Sequence, residues 1–214
     1  MCSRSCSATP PRRSRSSRRA GRSPRITQHA PGGAMTKVEG EYDIEAVRAE
    51  WIGRKTPLYH GRYPVEYDPI RRYCHMVEDD NPLFLDPDYA ATTKWGGVIV
   101  PPVMTDYFAG GGAWPEEDEP ALILQVPTRG DRTINLNISW EFIQPARIGD
   151  RLSRQTEIED IYQKPTRLDP RSIWIAAKTT IFNQDGEVLA IGRNTMVAHR
   201  RPEEFAAELQ ESGG

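Results

Sequence analysis

Cysteine is scarce: the 214 residues contain three, Cys2, Cys6 and Cys74, which excludes a disulfide scaffold and a CxxC-type zinc site. Long apolar runs are also missing. Val98-Ile99-Val100 is typical of what there is, whereas a membrane-spanning helix needs about 20 apolar residues in a row. Such a cysteine-poor, span-free chain is expected in a reduced cytoplasm. Acid is absent from residues 1–34, which hold eight arginines, seven serines and four prolines. Residues 35–214 therefore carry 20 basic and 30 acidic residues, a net charge of −10. A body that acidic repels phosphate, so no nucleic-acid partner is expected.

The basic segment admits three readings. A disordered arm for nucleic acid or lipid is one, and an Arg- and Ser-rich transit peptide is another. No apolar residue recurs there at helical spacing, which counts against the amphipathic face a transit peptide needs. The third reading is a start codon placed too early, favoured by the change in character at Met35, after Pro31-Gly32-Gly33-Ala34. The expected organisation is a disordered tail over 1–34, one domain over 35–201 and a tail or short helix over 202–214.

Within the body, Asp43 predicts a cap for a helix over 44–52, with Ile44, Val47, Trp51 and Ile52 on one face and Gly53 as its stop. Arg62–Val65 reads as extended. Asp68-Pro69 opens a second helix carrying Ile70, Tyr73, Cys74 and Val77 at helical spacing. Asp79-Asp80-Asn81-Pro82 and Asp86-Pro87-Asp88 are turn or helix-start signals. Pro101-Pro102 precedes an apolar helix over 103–108, stopped by the glycines at 110–112. The second half changes period. Ile134, Leu136, Ile138, Trp140 and Phe142 alternate with polar residues, the mark of a half-buried strand. Further strands are expected over 152–161, 172–182 and 188–197, the last two joined by the hairpin Asn183-Gln184-Asp185-Gly186-Glu187. Helices first and antiparallel strands later give an α+β class, a sheet laid against a helix.

Tyr73–Ala90 resembles the signature of the MaoC-like hydratases and dehydratases, which have the hot-dog fold. Tyr73 supplies the aromatic of that signature, Asp79-Asp80-Asn81-Pro82-Leu83 its Asp-x-Asn-Pro-aliphatic core and Ala90 its closing small residue. Glu78 stands where the family has Gly and Phe84 where it has His. Phe142-Ile143-Gln144-Pro145 before Gly149-Asp150 and the later hairpin extend the likeness to roughly residues 42–200. Pro101-Pro102 resembles the branch found as the N-terminal half, or one subunit, of a double hot dog. The resemblance implies an antiparallel sheet wrapped around a central helix, sites at the seam between protomers, and an acyl-CoA or acyl-carrier thioester substrate. It implies a homodimer, or a heterodimer or heterotetramer with a catalytic MaoC-like chain. No metal or organic cofactor is implied, because the thioester carries its own activation.

Hydration of an α,β-unsaturated thioester needs a polarised carbonyl, an activated water and a proton for Cα, and in this family an Asp and a His share the proton work. The resemblance places the acid at Asp79, substrate contacts at Asn81, Pro82 and Phe84, and an oxyanion donor at the backbone N–H of Val103, because Pro101 and Pro102 have none. A phenyl ring cannot titrate. The chain is therefore expected to be a non-catalytic, acyl-binding subunit; alternatives are a self-sufficient (R)-specific hydratase using Asp79 and a binding module for acyl-CoA. His75 would share a side with Asp79 if its helix ran that far. His60 and His199 read as packing or solvated residues. Asp79 has a plainer reading as well, since Asp-Asp-Asn-Pro is sound turn chemistry.

Overall fold

A computed structural model describes residues 37–38, 41–110 and 121–206. The basic segment 1–34, the glycines 111–112 and the end of the C-terminal tail lie outside those residues. Helix α1 (Ile44–Trp51) begins as expected: the Asp43 carboxylate accepts the Glu45 and Ala46 amides, and Gly53 leaves the helix at φ 83°. Trp51 is buried, but Ile52 has already turned out to solvent. A two-residue strand β1 (Tyr59–His60) leads into Arg62–Val65, where the Val65 amide donates to the Asp150 carbonyl and its carbonyl accepts the Gly149 amide. Helix α2 (Tyr67–Val77) buries Ile70 and Cys74, while Val77, one turn further on, is exposed rather than part of that face.

Two short helices follow, α3 (Pro82–Leu85) capped by Asn81 and α4 (Pro87–Thr92) capped by Asp86, each with proline in its first turn. The apolar helix after the proline pair divides into a 3-10 turn (Pro102–Met104) and a single α-turn, α5 (Thr105–Phe108). Another short helix, α6 (Leu122–Gln125), precedes the sheet. Residues 202–206 are helical.

The long strands are β2 (Arg132–Phe142), β3 (Ser153–Gln163), β4 (Ile173–Phe182) and β5 (Val188–His199). They form one antiparallel five-stranded sheet in the order β1-β3-β4-β5-β2. The β4–β5 hairpin closes on Asn183, whose side-chain oxygen accepts the Asp185 and Glu187 amides, with Gly186 at φ 78°. Register fixes the faces. Ile173, Ile175, Ala177, Thr179 and Ile181 of β4 lie beside Ala198, Met196, Asn194, Gly192 and Ala190 of β5, and this side carries the helical layer. The other side carries a charge ladder, in which Lys178 meets Glu157 at 3.0 Å and Arg193 meets Glu159 at 3.3 Å.

Two apolar clusters fill the interior. One gathers α2, α3, Val98–Val100 and α5 over Leu152, Ile181, Leu189 and Ala190; the other gathers Trp51, Leu122 and Ile123 over Ile158, Ile161, Ile173 and Ile175. Strand β2 departs from expectation. It is an edge strand, and Ile134, Leu136, Ile138 and Phe142 are exposed, with Ile138 at 58%. A bulge between Asn135 and Asn137 interrupts the simple alternation, so that Ile138, Trp140 and Phe142 share the helix-facing side with Asn194, Gly192 and Ala190. Only Trp140 gains cover, resting on Gly192, where an added Cβ would meet its ring at 2.8 Å. The alternation marked the strand correctly; no other element of the described chain lies over its end of the sheet.

Candidate functional site

The acidic loop is built from the end of α2. Glu78 takes a left-handed conformation, φ 57°, the one non-glycine residue with positive φ among the described residues. The Asp79 amide then donates to the Cys74 carbonyl at 2.9 Å. This closes the helix, so α2 stops short of Asp79 and does not carry His75 and Asp79 on one helical face. From there side chains relay the turn: Asp79 Oδ1 accepts the Asn81 amide at 3.1 Å, and Asn81 Oδ1 accepts the Leu83 amide at 3.0 Å. Asp79 is half-buried, Asn81 and Pro82 are exposed, and Phe84 is buried in the first apolar cluster with Met104 and Leu152. Burial, with the Asp79 charge second, pushes the Cys74 thiol up.

Between α2, the 3-10 turn and α5 runs an open groove of about 620 Å³. Its walls are Pro69, Tyr73, Met76, Val103, Met104 and Tyr107, and Asp68 and Arg72 stand with them. Of the site residues expected from sequence, Val103 lines this groove; Asp79, Asn81, Pro82 and Phe84 do not. Val103 bears the first N–H of its turn, since both preceding residues are prolines. Met76 and Tyr107 were not singled out by sequence. Met76 follows an exposed helical face with no pattern of its own, and Tyr107 sits in a run that reads as uniformly apolar. Asp68 is bonded by Arg71 at 2.7 Å and by Arg72 at 2.5 Å; these two bonds hold its carboxyl below the usual range.

The histidines lie elsewhere. His75 is exposed on α2, His60 is exposed on β1, and His199 Nδ1 meets the Arg200 carbonyl at 2.9 Å. Among the described residues no group of three or more His, Cys, Asp or Glu is arranged to hold a metal ion. No helix of the described residues is long and apolar enough to cross a membrane.

A long antiparallel sheet with a helical layer on one side and an Asp-x-Asn-Pro loop at the end of a helix define a hot-dog domain of the MaoC-like type. Residues 50–191 match the family described as FAS1-like, dehydratase domain region, and the chain belongs to that family. It is 26% identical over 167 residues to a probable enoyl-CoA hydratase alpha subunit of Thermomonospora curvata, covering 74% of this chain and 52% of that one. The chain thus spans about half the length of that relative. It is 30% identical over 125 residues to the (R)-specific enoyl-CoA hydratase of Aeromonas caviae, covering 58% and 78% of the two chains. Among solved structures it is similar to the ChsH1-ChsH2 complex from Mycobacterium tuberculosis, with TM-score 0.59, 18% identity and 75% and 95% coverage. The MaoC-like dehydratase from Rhodospirillum rubrum gives TM-score 0.52, 21% identity and 71% and 94% coverage. At such identities the structural likenesses establish the fold.

Proposed function

We propose that this chain is the acyl-binding, non-catalytic subunit of an acyl-thioester hydratase or dehydratase, and that a second MaoC-like hot-dog chain supplies the Asp–His pair. The observation that carries this reading is the environment of Asp79. Its carboxylate is engaged in an Asx turn, no imidazole among the described residues bonds to it, and the aromatic at position 84 is packed in the core. Loss of one acid–base partner typically costs about 10²–10⁴ in rate. The groove beside Val103 then serves as the acyl wall, and the exposed apolar edge of β2 is where the second chain docks. In support, one relative is named as an alpha subunit and one structural neighbour is a two-protein complex.

The test is to purify the chain alone and together with a MaoC-like chain that retains the histidine, and to follow hydration of enoyl-CoA thioesters by loss of enoyl absorbance. The expected result is turnover in the mixture at least about 100-fold above the isolated chain. Equal activity from the isolated chain overturns the subunit reading and makes it a self-sufficient hydratase.

A further inference from the structure

On the helix-facing side of the sheet, between the two apolar clusters, four polar residues stand together: Arg154 and Thr156 on β3, Thr179 on β4 and Asn194 on β5. They line a cavity of about 270 Å³, with Tyr59 and Gln125 also on its wall. A sheet face covered by helices is ordinarily apolar at this depth, because polar groups withdrawn from water need partners. Here one partner is missing: Asn194 Oδ1 is buried without a hydrogen bond. Thr156 and Thr179 bond each other through their hydroxyls at 2.9 Å. One hydroxyl donates to the other, so the second hydroxyl hydrogen remains for a third group. The Arg154 guanidinium faces Asp106 of α5, whose Oδ1 lies 3.7 Å away, too far for a hydrogen bond, and is itself buried without one.

We propose that this cavity is a binding site for a small uncharged molecule, or part of one, that carries both hydrogen-bond donors and acceptors: a primary amide or a polyhydroxyl group. The donor meets the Asn194 oxygen and the acceptor takes the free threonine hydrogen. Arg154 and Asp106 together carry no net charge, so the site offers no excess charge of either sign, which favours an uncharged ligand. At about 270 Å³ the cavity has room for a ligand of several heavy atoms rather than one bridging water. The site is distinct from the Val103 groove, which has no residue in common with it.

Acetamide and glycerol are the probes, with N,N-dimethylacetamide and 1,2-dimethoxyethane as counterparts of similar shape that cannot donate. Each is titrated into the full-length protein while the Asn side-chain amide and Thr methyl signals are followed by NMR. The expected result is saturable shifts at Asn194 and Thr179 with the donors, at least tenfold weaker binding of the counterparts, and loss of saturation in Asn194→Leu. Thr179→Val is the second variant, close in shape to the wild type, and is expected to weaken acetamide in the same direction should Asn194→Leu fail to fold. Linear, unsaturable shifts overturn the proposal and leave the cavity to water. Equal affinity for donors and their counterparts overturns it too, as does unaltered binding to a folded variant.

Discussion

Glu78 and Asp79 are neighbours with opposite prospects under substitution. The left-handed backbone at Glu78 costs an L-residue with a side chain roughly 1–2 kcal/mol, and glycine escapes that cost while losing some unfolded-state entropy. Glu78→Gly is therefore expected to raise stability by about 0.5–1 kcal/mol, read as a higher melting temperature in calorimetry; a lower one would show that the Glu78 side chain contributes more than its backbone costs. Asp79 contributes one turn bond, to the Asn81 amide, and an asparagine oxygen in the same place accepts it equally well. Asp79→Asn should leave the melting temperature within about 1 °C and turnover of the mixed complex within about twofold. A fall of about 10² or more in turnover at unchanged stability would make Asp79 a catalytic acid–base. Both residues were visible in sequence through the Asp-x-Asn-Pro resemblance. Which of the two readings of Asp79 the geometry favours was not, because the carboxylate's bond to its own backbone depends on where α2 ends.

Between β3 and β4 a buried ion pair fastens the connection to the end of β5. Asp169 accepts the Arg200 Nη2 and Nε groups at 2.7 and 2.9 Å, the Arg200 amide at 2.9 Å and the Arg171 amide at 2.8 Å. Burial pushes this carboxyl up, but the bonds from the Arg200 side chain and from the Arg200 and Arg171 amides outweigh it and hold it at about 2, against an ordinary 3.8. The ionised, bonded form is thus favoured in the folded chain, and its contribution of about 2 kcal/mol is complete above pH 3.8 and disappears as the pH falls toward 2. Asp169→Asn should remove most of that acid dependence and destabilise the domain by roughly 3–5 kcal/mol, since Arg200 is left buried without its counter-charge. Urea melts of the two proteins at pH 7 and pH 3 separate these effects; an unchanged acid limb would move the transition to other carboxylates. Nothing in the sequence pointed to this pair: Asp169 sits in a Leu-Asp-Pro turn and Arg200 in an arginine run, and 31 positions separate them. What pattern alone could supply was local, such as the Asp43 cap, the Asn183 hairpin and the alternation in β2.

Across the molecule, the sequence made the sheet and its helical cover legible because periodicity records which side of each element is apolar. It does not record what lies over that side. Past the bulge in β2 the apolar residues Ile138, Trp140 and Phe142 point to the helix side of the sheet, yet among the described residues only Trp140 of that row is half-covered, while Ile138 and Phe142 are 58% and 43% exposed. An eleven-residue edge strand without proline or lysine is the sort of edge that recruits another strand. Covering it with a second hot-dog chain buries the row, and each fully buried large apolar side chain contributes about 1.5–3 kcal/mol. Ile138→Lys places an unpaired charge in that contact and should weaken association by at least about 3 kcal/mol, more than 100-fold in Kd. The same change should leave the melting temperature of the separated chain almost unaltered, because its side chain already meets water there. Sedimentation of the wild type and variant, alone and with a MaoC-like partner, reads both quantities at once. Association that survives Ile138→Lys at full strength would move the interface away from β2, and with it the seam at which a partner's Asp–His pair would reach this chain's groove.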